Sequence, residues 1–170
     1  LIPAVEDAML AKSVSHPSPE ELPETSFVRG KMKGAILVLE DEASLREMLV
    51  EILDFLGYEA VTTAHGKETL QVYERRLRQG KPFDLVIVDL TIPGGMGGEE
   101  TVQHLRKIDP NVRAIVSSGF CHAPVMSRFS EYGFDGVLAK PYRLEDLQTL
   151  VEKLLPSASK GSPAGSPGNK

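Results

Sequence analysis

The chain has 170 residues, enough for one domain with a sizeable core and too few for two of ordinary size. No apolar run approaches the roughly 18 residues a spanning helix needs, and the single cysteine, Cys121, excludes an internal disulfide and favours a reducing compartment. A formal net charge of −5 argues against a nucleic-acid surface as the chain's main business.

Composition shifts twice along the chain. Residues 1–34 hold Pro3, Pro17, Pro19 and Pro23 among Ser and Glu, and residues 156–170 read PSASKGSPAGSPGNK. Neither segment offers enough apolar surface to offset its ordering entropy, so both are expected to be linker or tail. Nor does the start resemble a secretory signal, because it opens acidic at Glu6 and Asp7. The expected domain therefore spans 35–155, and it carries −6 where the ends carry −1 and +2.

Within 35–155 the first apolar run is AILVL (35–39). Leu45, Met48, Leu49, Ile52, Leu53 and Leu56 then fall on one helical stripe that stops at Gly57, with Ser44 and Glu47 spaced as a capping box. A more polar strand, YEAVT (58–62), leads to a second helix marked by Leu70, Tyr73 and Leu77 and ended by Gly80 and Pro82. LVIV (85–88), AIV (114–116) and GVLA (136–139) are the remaining strands, with weaker helices expected near 98–107 and 123–132. Leu144, Leu147, Leu150, Val151, Leu154 and Leu155 mark a last helix closed by Pro156. Continuously apolar strands suit a sheet covered on both faces, and five strand–helix pairs in alternation predict a doubly wound α/β sandwich with a parallel sheet.

In such a sheet the binding crevice lies at the carboxyl ends of the strands. The first run ends in Glu40-Asp41-Glu42, the third in Asp89, the fourth in Ser117-Ser118-Gly119 and the fifth in Lys140-Pro141. Packed carboxylates repel and raise one another's pKa unless a cation intervenes. Mg²⁺ resolves the conflict with oxygen ligands and keeps positions for water and phosphate. A carboxylate can also be a nucleophile that forms an acyl phosphate, whose oxygens need a metal, a hydroxyl and a lysine around them. Asp89 as nucleophile, Glu40 and Asp41 as metal holders, and Ser118 and Lys140 as phosphate contacts satisfy those needs together.

Each residue alone has a plainer reading. A strand-end Asp such as Asp41 is often only a helix cap, Lys-Pro is usually a turn, and Ser117 and Ser118 are ordinary loop hydroxyls. Glu42 faces solvent or the helix dipole. His16, His65, His104 and His122 lack metal-ligand spacing, and Cys121 has only His122 beside it as a base. GGMGG (94–98) lacks the Lys-Ser/Thr of a phosphate-binding loop and reads as a flexible connection.

Taken in order, ILVLEDE (36–42), LVIVDLTIPGGMGG (85–98), AIVSSGF (114–120) and GVLAKPY (136–142) resemble the receiver domain of two-component signalling over the whole of 35–155. The resemblance implies a flavodoxin-like (βα)₅ fold with a five-stranded parallel sheet, Mg²⁺ dependence, and transfer of a phosphoryl group from a phosphohistidine to Asp89. Glu40 and Asp41 would be the metal pair beside Asp89, with the Thr91 backbone carbonyl as a further ligand. Ser118 would be the switch hydroxyl, Lys140 would contact the phosphoryl group, and the bond before Pro141 would be a candidate cis peptide, which X–Pro tolerates cheaply. The sequence departs from the family's usual pattern in three places. Glu40 replaces the commoner Asp, and its extra methylene suits a metal held through water; Ser118 stands for the commoner Thr. Val137 occupies the place of a switching aromatic, leaving Phe120 or Tyr142 to alter the same surface. Thr91 has no amide or carboxylate to orient hydrolytic water, so a persistent phospho-aspartate is expected.

The opening Leu and the Pro/Glu/Ser-rich entry lead us to expect the C-terminal receiver of a hybrid sensor histidine kinase, cytoplasmic, within a parent protein that can be membrane-anchored. This segment itself would contain no kinase catalytic domain and would contact neither DNA nor membrane. A stand-alone single-domain response regulator is the alternative reading. A phosphatase of the haloacid dehalogenase class fits less well, since it wants a second Asp where this chain has Thr91.

Overall fold

The computed structural model describes residues 32–119 and 123–156. Phe120, Cys121 and His122 lie outside the described residues. So does most of the expected linker (1–34) and tail (156–170), His16 included. The elements run β1 (Ala35–Leu39), α1 (Ala43–Phe55), β2 (Glu59–Thr63), α2 (Gly66–Arg78), β3 (Leu85–Asp89), α3 (Gly98–Ile108), β4 (Ala114–Ser118), α4 (Pro124–Ser127), β5 (Gly136–Ala139) and α5 (Leu144–Leu154). All five strands are parallel in the order β2-β1-β3-β4-β5. This is the flavodoxin-like order, whose reversal point lies between β1 and β3.

Alternation along the strands builds two cores. Ile36, Val38, Leu85, Ile87, Ile115 and Leu138 pack beneath α1 and α5, where they meet Leu49, Leu53, Leu147 and Val151. Leu37, Leu39, Val86, Val88, Ala114 and Val116 face the other way, against Tyr73 of α2, Val102 and Leu105 of α3 and Met126 of α4. Every residue of β1, β3 and β4 is buried, which is why those runs are apolar without interruption. At the opposite edge from the predicted site, Asp84 accepts the Ala35 amide at 2.7 Å and Asp135 accepts the Ala114 amide at 2.8 Å, closing the starts of β1 and β4.

Three local expectations need correction. The helix after β1 starts at Ala43 with Glu42 as its N-cap, so Ser44 lies inside the first turn and forms no capping box; its hydroxyl bonds the Glu42 carboxylate at 2.6 Å instead. The helix expected near 123–132 is two short pieces, α4 and a 3₁₀ turn over Phe129–Tyr132, because Arg128 leaves helical geometry and Gly133 closes the segment with a positive φ of 86°. GGMGG is more than a flexible connection: Gly97 caps α3, and Gly98 packs so tightly on β3 that a Cβ would strike the Asp89 carbonyl oxygen. The last glycine therefore sets how close α3 sits to the strand bearing Asp89.

Alanine is the better helix former, so any loss from Gly98→Ala reports that contact rather than propensity. We expect Gly98→Ala to destabilise by about 1–3 kcal/mol in denaturant titration. Gly95→Ala, with open space around it, should change stability by less than about 0.5 kcal/mol.

Candidate functional site

The row of side chains facing α1 and α5 does not end in apolar residues. Past Val38 comes Glu40, past Ile87 comes Asp89, and past Leu138 comes Lys140, so strand alternation carries two carboxylates and an ammonium to one edge. Register places Ser117 directly opposite Asp89 on β4 and continues the Ile115 row, whereas Ser118, opposite Ala139, belongs to the other face. Glu40 and Asp89 are buried, at 2% and 5% exposure, too little for water to neutralise their charge.

Lys140 supplies the compensation. Its Nζ donates to Glu40 Oε2 at 2.6 Å and to Asp89 Oδ2 at 2.9 Å, joining the ends of β1, β3 and β5. The second Asp89 oxygen, Oδ1, accepts the Thr91 amide at 3.0 Å. The Lys140–Pro141 peptide is cis, and the Lys140 amide bonds the Ser118 carbonyl at 2.8 Å. Burial raises the Glu40 carboxyl above its usual range, with Asp89 adding to the effect and Lys140 opposing it. Burial alone would lower the Lys140 ammonium, but its bonds to Asp89 and Glu40 outweigh this and hold it above the ordinary lysine value.

Asp41 completes an acidic group whose oxygens from Glu40, Asp41 and Asp89 all lie within 4.8 Å of one another. Hard oxygen donors at that spacing, with Asp41 more open to solvent than the other two, fit a small divalent cation that keeps part of its water shell. The loop that carries the acids is held from an unexpected quarter: Arg46 Nη1 donates to both the Glu40 and the Asp41 carbonyls at 2.8 Å.

Glu40, Asp41, Asp89 and Lys140 are thus brought together, Thr91 reaches Asp89 through its amide, and Ser118 is buried at the same edge from the opposite face. Arg46 escaped the sequence reading because an arginine early in an amphipathic helix looks like any solvated charge. Ser117 and Tyr142 carry a second surprise: both hydroxyls are buried without a hydrogen-bond partner among the described residues. Burial pushes the Tyr142 phenol up to about 12. His65 stands at the N-cap position of α2 without a side-chain capping bond, His104 bonds the Glu100 carbonyl, and neither joins the acidic group.

A doubly wound sheet that ends in buried acids bridged by one lysine defines the receiver class of fold. The chain belongs to the response regulator receiver domain family, whose profile matches residues 36–152. Among its relatives, Sporulation initiation phosphotransferase F of Bacillus subtilis is 30% identical over 75% of this chain and 98% of its own length. Sensor kinase CckA of Brucella abortus is 31% identical over 71% of this chain, which spans 12% of that protein. Among solved structures, the response regulator protein TrrA from Thermotoga maritima, crystallised in complex with Mg(2+)-BeF, superposes with a TM-score of 0.61. It is 33% identical, covering 72% of this chain and 99% of that one. No helix among the described residues is long and apolar enough to cross a membrane.

The lysine bridge generates a pH signature. A carboxyl whose folded pKa lies above its unfolded value costs stability that is fully felt above the folded pKa and absent below the unfolded one. Removing the lysine leaves two buried carboxylates without a counter-charge, and a proton can replace it only in acid. Lys140→Met should therefore destabilise the metal-free protein by about 3 kcal/mol near pH 7.5. The deficit should shrink steadily as pH falls toward 5 in parallel chemical-denaturation curves.

Proposed function

We propose that this domain accepts a phosphoryl group on Asp89 from a phosphohistidine, with Mg²⁺ held by Glu40, Asp41, Asp89 and the Thr91 backbone carbonyl. The observation that carries the reading is the lysine-bridged carboxylate group at the reversal point of the sheet. Likeness to TrrA in its Mg(2+)-BeF complex supports the choice of ion.

Bound Mg²⁺ would supply positive charge against the phosphoryl oxygens and lower their repulsion from the acids. An Asp89 carboxylate oxygen attacks phosphorus, the P–N bond to imidazole breaks as the P–O bond forms, and the departing imidazole takes a proton from solvent. Thr91 holds Oδ1 of Asp89 through its amide, which fixes the carboxylate plane before attack. Once the acyl phosphate exists, the negative charge sits on the phosphoryl oxygens, so Lys140 follows it there from Asp89 Oδ2. The Ser118 hydroxyl reaches the group from the opposite face. The Thr91 side chain carries no carboxylate or carboxamide to orient water, so the acyl phosphate persists.

Similarity to Sensor kinase CckA supports placing this receiver within a hybrid sensor kinase, with its donor on a kinase or phosphotransfer domain in the cytoplasm. The near end-to-end match to Sporulation initiation phosphotransferase F favours a second reading, a stand-alone regulator. The coding sequence upstream separates the two: a kinase module in frame supports the first, and a start codon with no kinase supports the second.

Intact-mass measurement after incubation with acetyl phosphate tests the chemistry. One phosphoryl group should be gained with Mg²⁺, none with excess chelator, and none in Asp89→Asn. The adduct should survive for minutes after the donor is removed. Loss within seconds would overturn the role given to Thr91, and equal gain by Asp89→Asn would overturn the assignment of the acceptor.

A further inference from the structure

The acid triplet Glu40-Asp41-Glu42 sits in a loop between β1 and α1, and one residue holds all three of its carbonyls. Arg46 Nη1 donates to the Glu40 and Asp41 carbonyls at 2.8 Å each, and the Arg46 amide donates to the Glu42 carbonyl at 3.0 Å. The Glu40 amide is tied separately to Thr63 of β2 at 3.1 Å. The surroundings make this use of the guanidinium unusual. Five carboxylates, Glu40, Asp41, Glu42, Glu47 and Glu51, lie within six residues of it in sequence, yet among the described residues Arg46 forms no ion pair. Its Nη1 donors are spent on the main chain, and the acids form no ion pair with it.

We infer that Arg46 is a positioning residue for the metal-binding acids, a clamp that turns the carbonyls of the loop toward α1 and leaves the carboxylates of Glu40 and Asp41 directed at Asp89. The inference rests on the metal site proposed above. A loop fixed beforehand needs no ordering when the cation binds, so the clamp raises affinity by preorganisation. Charge alone predicts the opposite. A guanidinium beside a cation site repels the cation, and its removal would tighten binding were Arg46 a bystander. The two accounts thus differ in sign.

The test uses the full 170-residue chain, with Mg²⁺ affinity by calorimetry and amide hydrogen exchange without metal. Arg46→Ala should weaken Mg²⁺ binding by about tenfold, the size expected from losing charge-assisted bonds to two carbonyls. It should also speed exchange at the amides of Asp41 and Glu42 while leaving those of β3 and β4 unchanged. Equal or tighter Mg²⁺ binding in Arg46→Ala overturns the inference. Should that variant fail to fold, Arg46→Lys decides, because it keeps the charge and loses the planar fork: binding weakened several-fold supports the clamp, and wild-type affinity overturns it. If the wild-type chain itself binds no Mg²⁺, the metal reading fails on its own. The exchange comparison then judges the clamp alone, and unchanged rates at Asp41 and Glu42 overturn it.

Discussion

Two buried carboxylates at the end of a hydrophobic sheet are untenable without a cation, and Lys140 is the cation the chain provides. Its bonds to Glu40 and Asp89 span 100 and 51 residues of sequence, so the contact exists only when β1, β3 and β5 have found their places. Attraction inside a low-dielectric edge is strong, but so is the desolvation that precedes it, and the pair of bonds does little more than balance that cost. The site is accordingly held rather than stabilised. On the proposed chemistry such an arrangement suits a partner exchange, because the ammonium would lose little were a phosphoryl oxygen to replace Asp89.

The sequence made the outline legible because strand burial leaves a strong trace. β1, β3 and β4 are enclosed on both faces, so their apolar runs are continuous, and the polar residue that ends each run is visible against them. That contrast marks Glu40, Asp89 and the Ser117-Ser118 pair; Lys140 follows β5, whose burial is interrupted, and stands out only through its place in the same row of strand ends. The misses share a cause: they depend on where backbone polar groups point. Ser44 and Glu47 had the spacing of a capping box, but the helix began at Ala43, immediately after the acids, and the box had no end to cap. Arg46 was indistinguishable from a solvated arginine until the carbonyls of Glu40 and Asp41 were seen to face it. Gly98 read as flexibility when its meaning was contact, because the absence of a side chain does not reveal what fills its place.

Alternation along the strands also divides the labour of the site. Glu40, Asp89 and Ser117 belong to the row above α1 and α5, while Ser118 belongs to the row above α2, α3 and α4. Val137, opposite Val116, packs with that second row. On the proposed chemistry, phosphate is captured on one side of the sheet and sensed by Ser118 on the other. On that reading a change at Ser118 would meet the face carrying Val137 and Met126 rather than α5.

What covers that second face decides how far such a change travels. A long helix would move as a unit, but beside β5 the cover is α4, four residues long, followed by a 3₁₀ turn, with α2 and α3 lying over the strands further along. Its turns close one by one: the Met126 amide donates to the Ala123 carbonyl, Arg128 to Pro124, Glu131 to Arg128 and Phe134 to Phe129, and the Ser127 hydroxyl donates to the Pro124 carbonyl. Short pieces with separate hydrogen bonds rearrange locally at small cost, since no cooperative ladder has to break. Val137 also lacks the polar tip by which an aromatic phenol could lock onto a neighbouring carbonyl. On the switch role proposed for Ser118, an aliphatic Val137 beside it and a broken helix above it would favour a response by local repacking of 124–132 over the swing of one ring.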